Sequence, residues 1–177
     1  MDASRRKQIN ELAVTVRESL GLTTPIDVEE VIDRLGGSIE DFDPYYGQDA
    51  EAYVRKSGDS FAIAVNDCVG HARRRFSIAH ELGHLFLHLG YLIDDDLWGS
   101  VDSYIDSVRH RMGYNEEEFE AHEFAGSLLM PADEFRIVAN QFFADGLYPL
   151  EKIAEYFDVS SKAVKVRGCW LGVFSWE

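Results

Sequence analysis

Two histidines four positions apart bracket a glutamate and a glycine in the run His80-Glu81-Leu82-Gly83-His84. On a helix, at about 100° per residue, the two imidazoles fall about 40° apart and one turn above the other, so both can reach one metal ion. That requirement constrains the chain more than any other feature. The stretch from Ala72 to about Leu89 has to be helical, as its apolar pattern also predicts, and a third ligand has to arrive from elsewhere in the fold. Gly83 points the same way: a glycine inside a helix costs ~1 kcal/mol relative to alanine, so close approach of another element is expected there. Glu81 lies about 60° from His84 on the helix wheel, too far round to be an obvious ligand. It is placed beside the metal, where it can take a proton from bound water. Zinc is the natural occupant: it accepts two imidazoles and a carboxylate, keeps a fourth position for water, and lowers that water's pKa to roughly 7.

The third ligand is expected from a second helix, Glu116 to Met130, stopped at Pro131. Glu118 shares a face with Ala121, His122, Ala125 and Leu129, mostly small and apolar and suited to packing on the first helix. Glu120 points roughly opposite, with Glu116, Glu123 and Ser127, on a face that reads as solvent. Glu118 is therefore the expected ligand. His88 continues the histidine row a full turn beyond His84 and reads as a packing or supporting residue. His71 and His110 read as surface residues. His110 and Tyr114, just before the second metal helix, could stabilise a tetrahedral oxyanion, although an ordinary loop role is the stronger reading.

Composition narrows the partners. Seventeen Lys and Arg against 32 Asp and Glu give a net charge of −15. Such a surface repels phosphate backbones and favours a basic partner or substrate patch, so direct nucleic-acid binding is not expected. No apolar run approaches the ~18 residues needed to cross a bilayer, and no signal-type apolar segment follows Arg5, Arg6 and Lys7. Cys68 and Cys169 form no C-x-x-C pair and read as unpaired thiols of a reducing compartment, so a cytoplasmic protein without membrane partners is expected.

The 177 residues fit one domain, 1–177. Ile9, Leu12, Ala13, Val16 and Leu20 recur at helical spacing up to Gly21. A short helix follows from the capping-box-like Asp27 and Glu30, with Val28, Val31, Ile32 and Leu35 as its stripe and Gly36-Gly37 as its end. Ser38 to Phe42, Ala52 to Lys56 and Ser60 to Val65 read as strands. Three short strands cannot bury themselves, which predicts an α+β fold with a small, mostly antiparallel sheet packed on helices. Strand 60–65, with Asn66 after it, is expected at the sheet edge, where a substrate peptide could add as a further strand. Residues 90–113 read as a partly helical excursion. Its Asp94-Asp95-Asp96 is most simply a solvated loop, with a lid or a dock for basic substrate as the weaker idea. Helices follow at Ala132 to Phe143, Leu150 to Phe157 and Ser160 to about Trp170. The last two, within 147–170, have helix-turn-helix spacing and carry Lys162, Lys165 and Arg167. The acidic background favours a packing unit or docking surface over DNA reading. Phe174 and Trp176 read as core or interface anchors.

The blocks Arg74-Arg75-Phe76-Ser77-Ile78-Ala79-His80-Glu81-Leu82-Gly83-His84 and Glu118-Phe119-Glu120-Ala121-His122-Glu123-Phe124-Ala125-Gly126-Ser127-Leu128-Leu129-Met130-Pro131 resemble the ImmA/IrrE family of metallopeptidases. The family pattern is R-F-x-x-A-H-E-L-G-H followed by E-x-E-A-N-x-F-A-x-x-L-L-M-P. A weaker likeness extends to Ile26–Gly37 and to Phe157-Asp158-Val159-Ser160. The resemblance implies a zincin-like domain with a gluzincin-type zinc site at His80, His84 and Glu118, and Glu81 as catalytic base. It also implies a cytoplasmic bacterial or mobile-element endopeptidase that cleaves, or otherwise inactivates, helix-turn-helix repressors under stress. An alternative keeps the metal but displaces the repressor without proteolysis. One departure stands out: His122 occupies the place of the family Asn. The residue four after a glutamate ligand typically orients a metal-bound histidine; His122 could do so through a ring N–H, become a ligand itself, or weaken the site.

Overall fold

The computed structural model describes residues 1–43, 51–101 and 116–176. Helix α1 (Ala3–Ser19) starts at Asp2, whose side chain accepts from the Arg5 N–H, and buries Ile9, Ala13 and Val16. Gly21, at φ +59°, turns the chain out of it. Helix α2 (Val28–Arg34) is capped by Asp27, which accepts from the N–H groups of Glu29 and Glu30. These caps satisfy donors that a helix start otherwise leaves open, which is why the acidic residues sit where they do.

Strands β1 (Ser38–Asp41), β2 (Ala52–Ser57) and β3 (Ser60–Val65) form one sheet in the order β1-β3-β2. The longer ladder, β2 with β3 from Ala52↔Val65 to Ser57↔Ser60, is antiparallel. β1 pairs with β3 in parallel, from Ser38↔Ala62 to Asp41↔Val65, so the small α+β sheet is mixed. The expectation that β3 forms the sheet edge is corrected: it is the central strand, and β1 and β2 are the edges. The sequence carries a reason for this. Phe61, Ala62, Ile63, Ala64 and Val65 are all buried, and a strand apolar on both faces belongs inside a sheet.

Helix α3 (His71–Leu87) packs across β2 and β3 with Ile78, Leu82 and Leu85 fully buried. Helix α4 (Asp95–Ser100) is capped by Asp94, which accepts from the Leu97 N–H; Asp95 and Asp96 occupy its first turn, where the helix dipole favours negative charge. Helix α5 (Glu116–Leu129) lies against α3 on one side and α1 on the other. Helices α6 (Ala132–Phe142), α7 (Leu150–Phe157) and α8 (Ser161–Trp170) complete the fold. The α7–α8 pair contributes Ile153, Phe157 and Val164 to the same apolar core as α3 and α5.

A buried polar junction locks α8 to α5 and α1. Arg167 donates to Glu123 at 2.9 Å, to Asn10 Oδ1 at 2.8 Å and to the Met130 carbonyl at 3.0 Å. Cys68 and Cys169 are free thiols, the first exposed and the second buried. No described helix is long and apolar enough to cross a membrane.

Candidate metal centre

The site begins with a contact between two helices. A Cβ placed on Gly83 of α3 would lie 2.9 Å from the Cα of Ala121 and 3.0 Å from its carbonyl oxygen, both on α5. Only glycine permits that approach, which confirms the close contact expected at this position. It sets Glu118, one turn before Ala121, against the histidine row of α3.

Three ligand-type atoms converge there. His80 Nε2 and His84 Nε2 are 3.1 Å apart. Glu118 Oε2 lies 3.3 Å from His80 Nε2, and Glu118 Oε1 lies 3.2 Å from His84 Nε2. This group could hold a metal ion, and among the described residues no other cluster of three such side chains could. Burial alone would raise the Glu118 pKa, but hydrogen bonds to His80 and His84 outweigh it and hold the carboxyl well below its usual range. Glu81, on the same turn of α3, is buried at 3% exposure.

His88 and Glu120 extend the site in a way the helix wheel alone did not indicate. Glu120 is not on a solvent face: its side chain is 12% exposed, because α1 covers that side of α5. Arg5 grips it with Nε at 2.7 Å and Nη2 at 2.5 Å. Glu123 and Ser127, on the same face, bond to Asn10 of α1 and are likewise buried. Salt bridging to Arg5, against burial, pulls the Glu120 pKa down, so Glu120 is a carboxylate that can only accept. His88 Nε2, 3.3 Å from Glu120 Oε2, must then donate. Burial, followed by the nearby His84, pushes the His88 pKa down and favours the neutral ring. Its other nitrogen, Nδ1, is left as an acceptor 2.9 Å from His84 Nδ1. His84 can therefore carry its proton on Nδ1 and turn the lone pair of Nε2 toward the ligand cluster. The chain Arg5–Glu120–His88–His84 crosses three helices. Its sequence signal was the continued i, i+4 row of histidines, read as a supporting role for His88.

His122 is not among the converging ligand atoms, and its hydrogen bond goes to backbone and not to a histidine of the cluster. Its Nδ1 donates to the Glu118 carbonyl at 2.7 Å, and its ring packs edge-on against His80 with centroids 4.5 Å apart. It lies outside the converging cluster, and His80 Nδ1 has no hydrogen-bond partner among the described residues. His71 is exposed and pairs with Asp158 at 2.8 Å, as expected of a surface residue. His110 and Tyr114, the oxyanion candidates, lie outside the described residues, as does the second half of the 90–113 excursion.

The sequence profile described as the IrrE N-terminal-like domain of the M78 peptidases matches residues 45–167. A search of curated proteins gives no significant match. Among solved structures, a Mycobacterium tuberculosis transcriptional regulator aligns over 92% of this chain with a TM-score of 0.61 and 21% identity. The alignment covers 46% of that protein, so this chain spans about half its length, and likeness at this identity concerns the fold.

Proposed function

The chain belongs to the M78 peptidase family, with its IrrE N-terminal-like, zincin-like α+β domain, and from that premise we propose that it is a zinc-dependent endopeptidase. The observation that carries the proposal is the convergence of His80 Nε2 and His84 Nε2, 3.1 Å apart, on the Glu118 carboxylate, with Oε2 3.3 Å from His80 Nε2 and Oε1 3.2 Å from His84 Nε2. Around a tetrahedral ion with bonds near 2.0–2.1 Å, donor atoms stand roughly 3.3 Å apart, close to the separation of the two imidazole nitrogens and of each carboxylate oxygen from its nearer ring. Two imidazoles and one carboxylate are also the donor set of hydrolytic zinc sites, which leave a position open.

Zinc held there would supply Lewis acidity toward the scissile carbonyl and make a water easier to deprotonate. The remaining work falls to the chain. Glu81, carried beside the ligands by the same helix turn, takes the proton from the attacking water and hands it to the leaving amine nitrogen. With the ion in place of the protons that these nitrogens otherwise share with Glu118, His84 would keep its proton on Nδ1, toward His88, and offer its Nε2 lone pair beside the Glu118 carboxylate.

The substrate we propose is a helix-turn-helix repressor, in the cytoplasm. The support is the family resemblance of the two motif blocks, and the fold relative titled a transcriptional regulator accords with it. The same relative favours a second reading, a metal-bearing regulator that displaces its repressor without cutting. Elemental analysis of protein purified without added metal tests the centre: stoichiometric zinc, lost in Glu118→Ala, supports it, and no zinc in the wild type even after supply overturns it. Incubation of zinc-loaded protein with the repressor then separates the readings. Fragments support the peptidase; an intact repressor that has lost operator binding supports the regulator.

A further inference from the structure

A groove of about 660 Å3, walled by α3, α5, α8 and the start of α1, meets the metal centre at His122, which lines it and packs its ring against His80 at 4.5 Å. Its volume falls within the range of ligand sites, roughly 300–1,000 Å3. Phe119, Val166 and Trp170 line it while remaining 57%, 41% and 48% exposed, so bulky apolar side chains left in water converge on one concavity. Such convergence marks an interaction surface rather than scattered surface residues.

The charge of the lining runs against the rest of the molecule. Arg6, Arg73, Lys162 and Arg167 face a single carboxylate, Glu123, in a chain whose net charge is −15. Glu123 is already neutralised by Arg167 at 2.9 Å. Arg73 is shared with Glu51, Arg6 lies 3.9 Å over the Trp170 ring and pairs with Glu123 at 3.5 Å, and Lys162 makes no ion pair among the described residues. A basic partner, favoured by overall composition, does not fit this face.

Resting on the peptidase reading, we propose that the groove seats the substrate segment next to the bond presented at the metal centre. We further propose that this segment carries bulky apolar side chains flanked by carboxylates. Its apolar side chains fill the floor between Phe119 and Val166, and its carboxylates meet Lys162, Arg6 and Arg73. A nucleic acid would satisfy the cations but leave the apolar floor unmatched while approaching an acidic body.

The test uses the full-length, zinc-loaded Glu81→Gln protein, which leaves peptides whole, and fluorescence anisotropy. Two labelled probes share one leucine- and phenylalanine-bearing core and differ only in glutamate or lysine flanks. The glutamate-flanked peptide is expected to bind roughly tenfold or more tightly than its lysine counterpart, with a modest salt dependence. Lys162→Glu should remove most of that preference, and Val166→Glu should weaken both peptides by about tenfold. Both residues are exposed on α8, so circular dichroism is expected to be unchanged. The proposal is overturned if the lysine-flanked peptide binds as well, if neither peptide binds, if Val166→Glu has no effect, or if a single-stranded oligonucleotide outcompetes the peptide. Binding as expected, together with an intact repressor after incubation with the zinc-loaded wild type, leaves the surface standing and removes the peptidase reading.

Discussion

Nδ1 of His84, in the last turn of α3, and Nδ1 of His88, which caps that helix, stand 2.9 Å apart. Two imidazole nitrogens at that distance share one proton, and Glu120 on the far side of His88 settles which ring gives it. His88→Leu keeps much of the packing but removes the acceptor, and zinc affinity measured by chelator competition should fall 10- to 100-fold. His88→Gln retains an acceptor toward His84 and a donor toward Glu120 and should recover most of the loss. Equal affinity of His88→Leu and the wild type would show that His88 only fills space.

The approach of Gly83 to Ala121 makes a second prediction. In Gly83→Ala the new Cβ meets the Ala121 Cα and carbonyl oxygen at 2.9 and 3.0 Å, so α5 itself has to move. Chemical denaturation should show a loss of about 1–3 kcal/mol, as for other overpacked sites. Zinc affinity should fall with it, because the displaced helix carries Glu118. Ala121→Gly should not rescue the variant, since the nearest atoms are backbone.

Glu81→Gln should keep zinc at the wild-type stoichiometry and lower turnover by about 10²- to 10⁴-fold, the usual contribution of general acid–base catalysis. Elemental analysis and a cleavage time course on one preparation check both halves. Substantial turnover in this variant would remove Glu81 from its role.

The Arg167–Glu123 pair is buried on both sides, with side chains 4% and 7% exposed. Arg167→Met leaves Glu123 and Asn10 without their shared donor and should cost about 3–5 kcal/mol in urea unfolding. Replacing both charges, as Arg167→Met with Glu123→Leu, should cost less than the single change. The desolvation penalty then disappears along with the attraction.

In metal-stripped protein, Glu118 is a carboxyl whose folded pKa lies below the ordinary value of 4.5. A depressed folded pKa contributes stability that is fully present above the unfolded value and lost as pH falls toward the folded one. The stability difference between metal-free wild type and Glu118→Gln should therefore be largest near neutral pH and shrink on acidification below 4.5. A difference that grows on acidification would mean that the two histidines do not hold Glu118 ionised.

What was legible in the sequence was short in range. The spacing of His80 and His84, the cap at Asp27, the stripe of Ile9, Ala13 and Val16, and the glycine inside α3 are decided by neighbours within a turn or two. The structure bears out each of these. Glu118 was also legible, because the small apolar face of its helix identified the side that packs on α3. Helical periodicity groups residues by face but does not say what covers a face. Glu120, Glu123 and Ser127 read as solvent-facing until α1, more than a hundred residues earlier in the chain, closes over them through Arg5 and Asn10. The position of β3 at the centre of the sheet was likewise fixed by β1 pairing in parallel from outside its hairpin. The sequence by itself thus determined which side chains can act together on one helix. Only the tertiary structure decided that His84 is held through His88 and Glu120, and that a cationic, apolar-floored groove opens at His122. Both depend on helices far apart in sequence meeting in space, and no local period encodes that meeting.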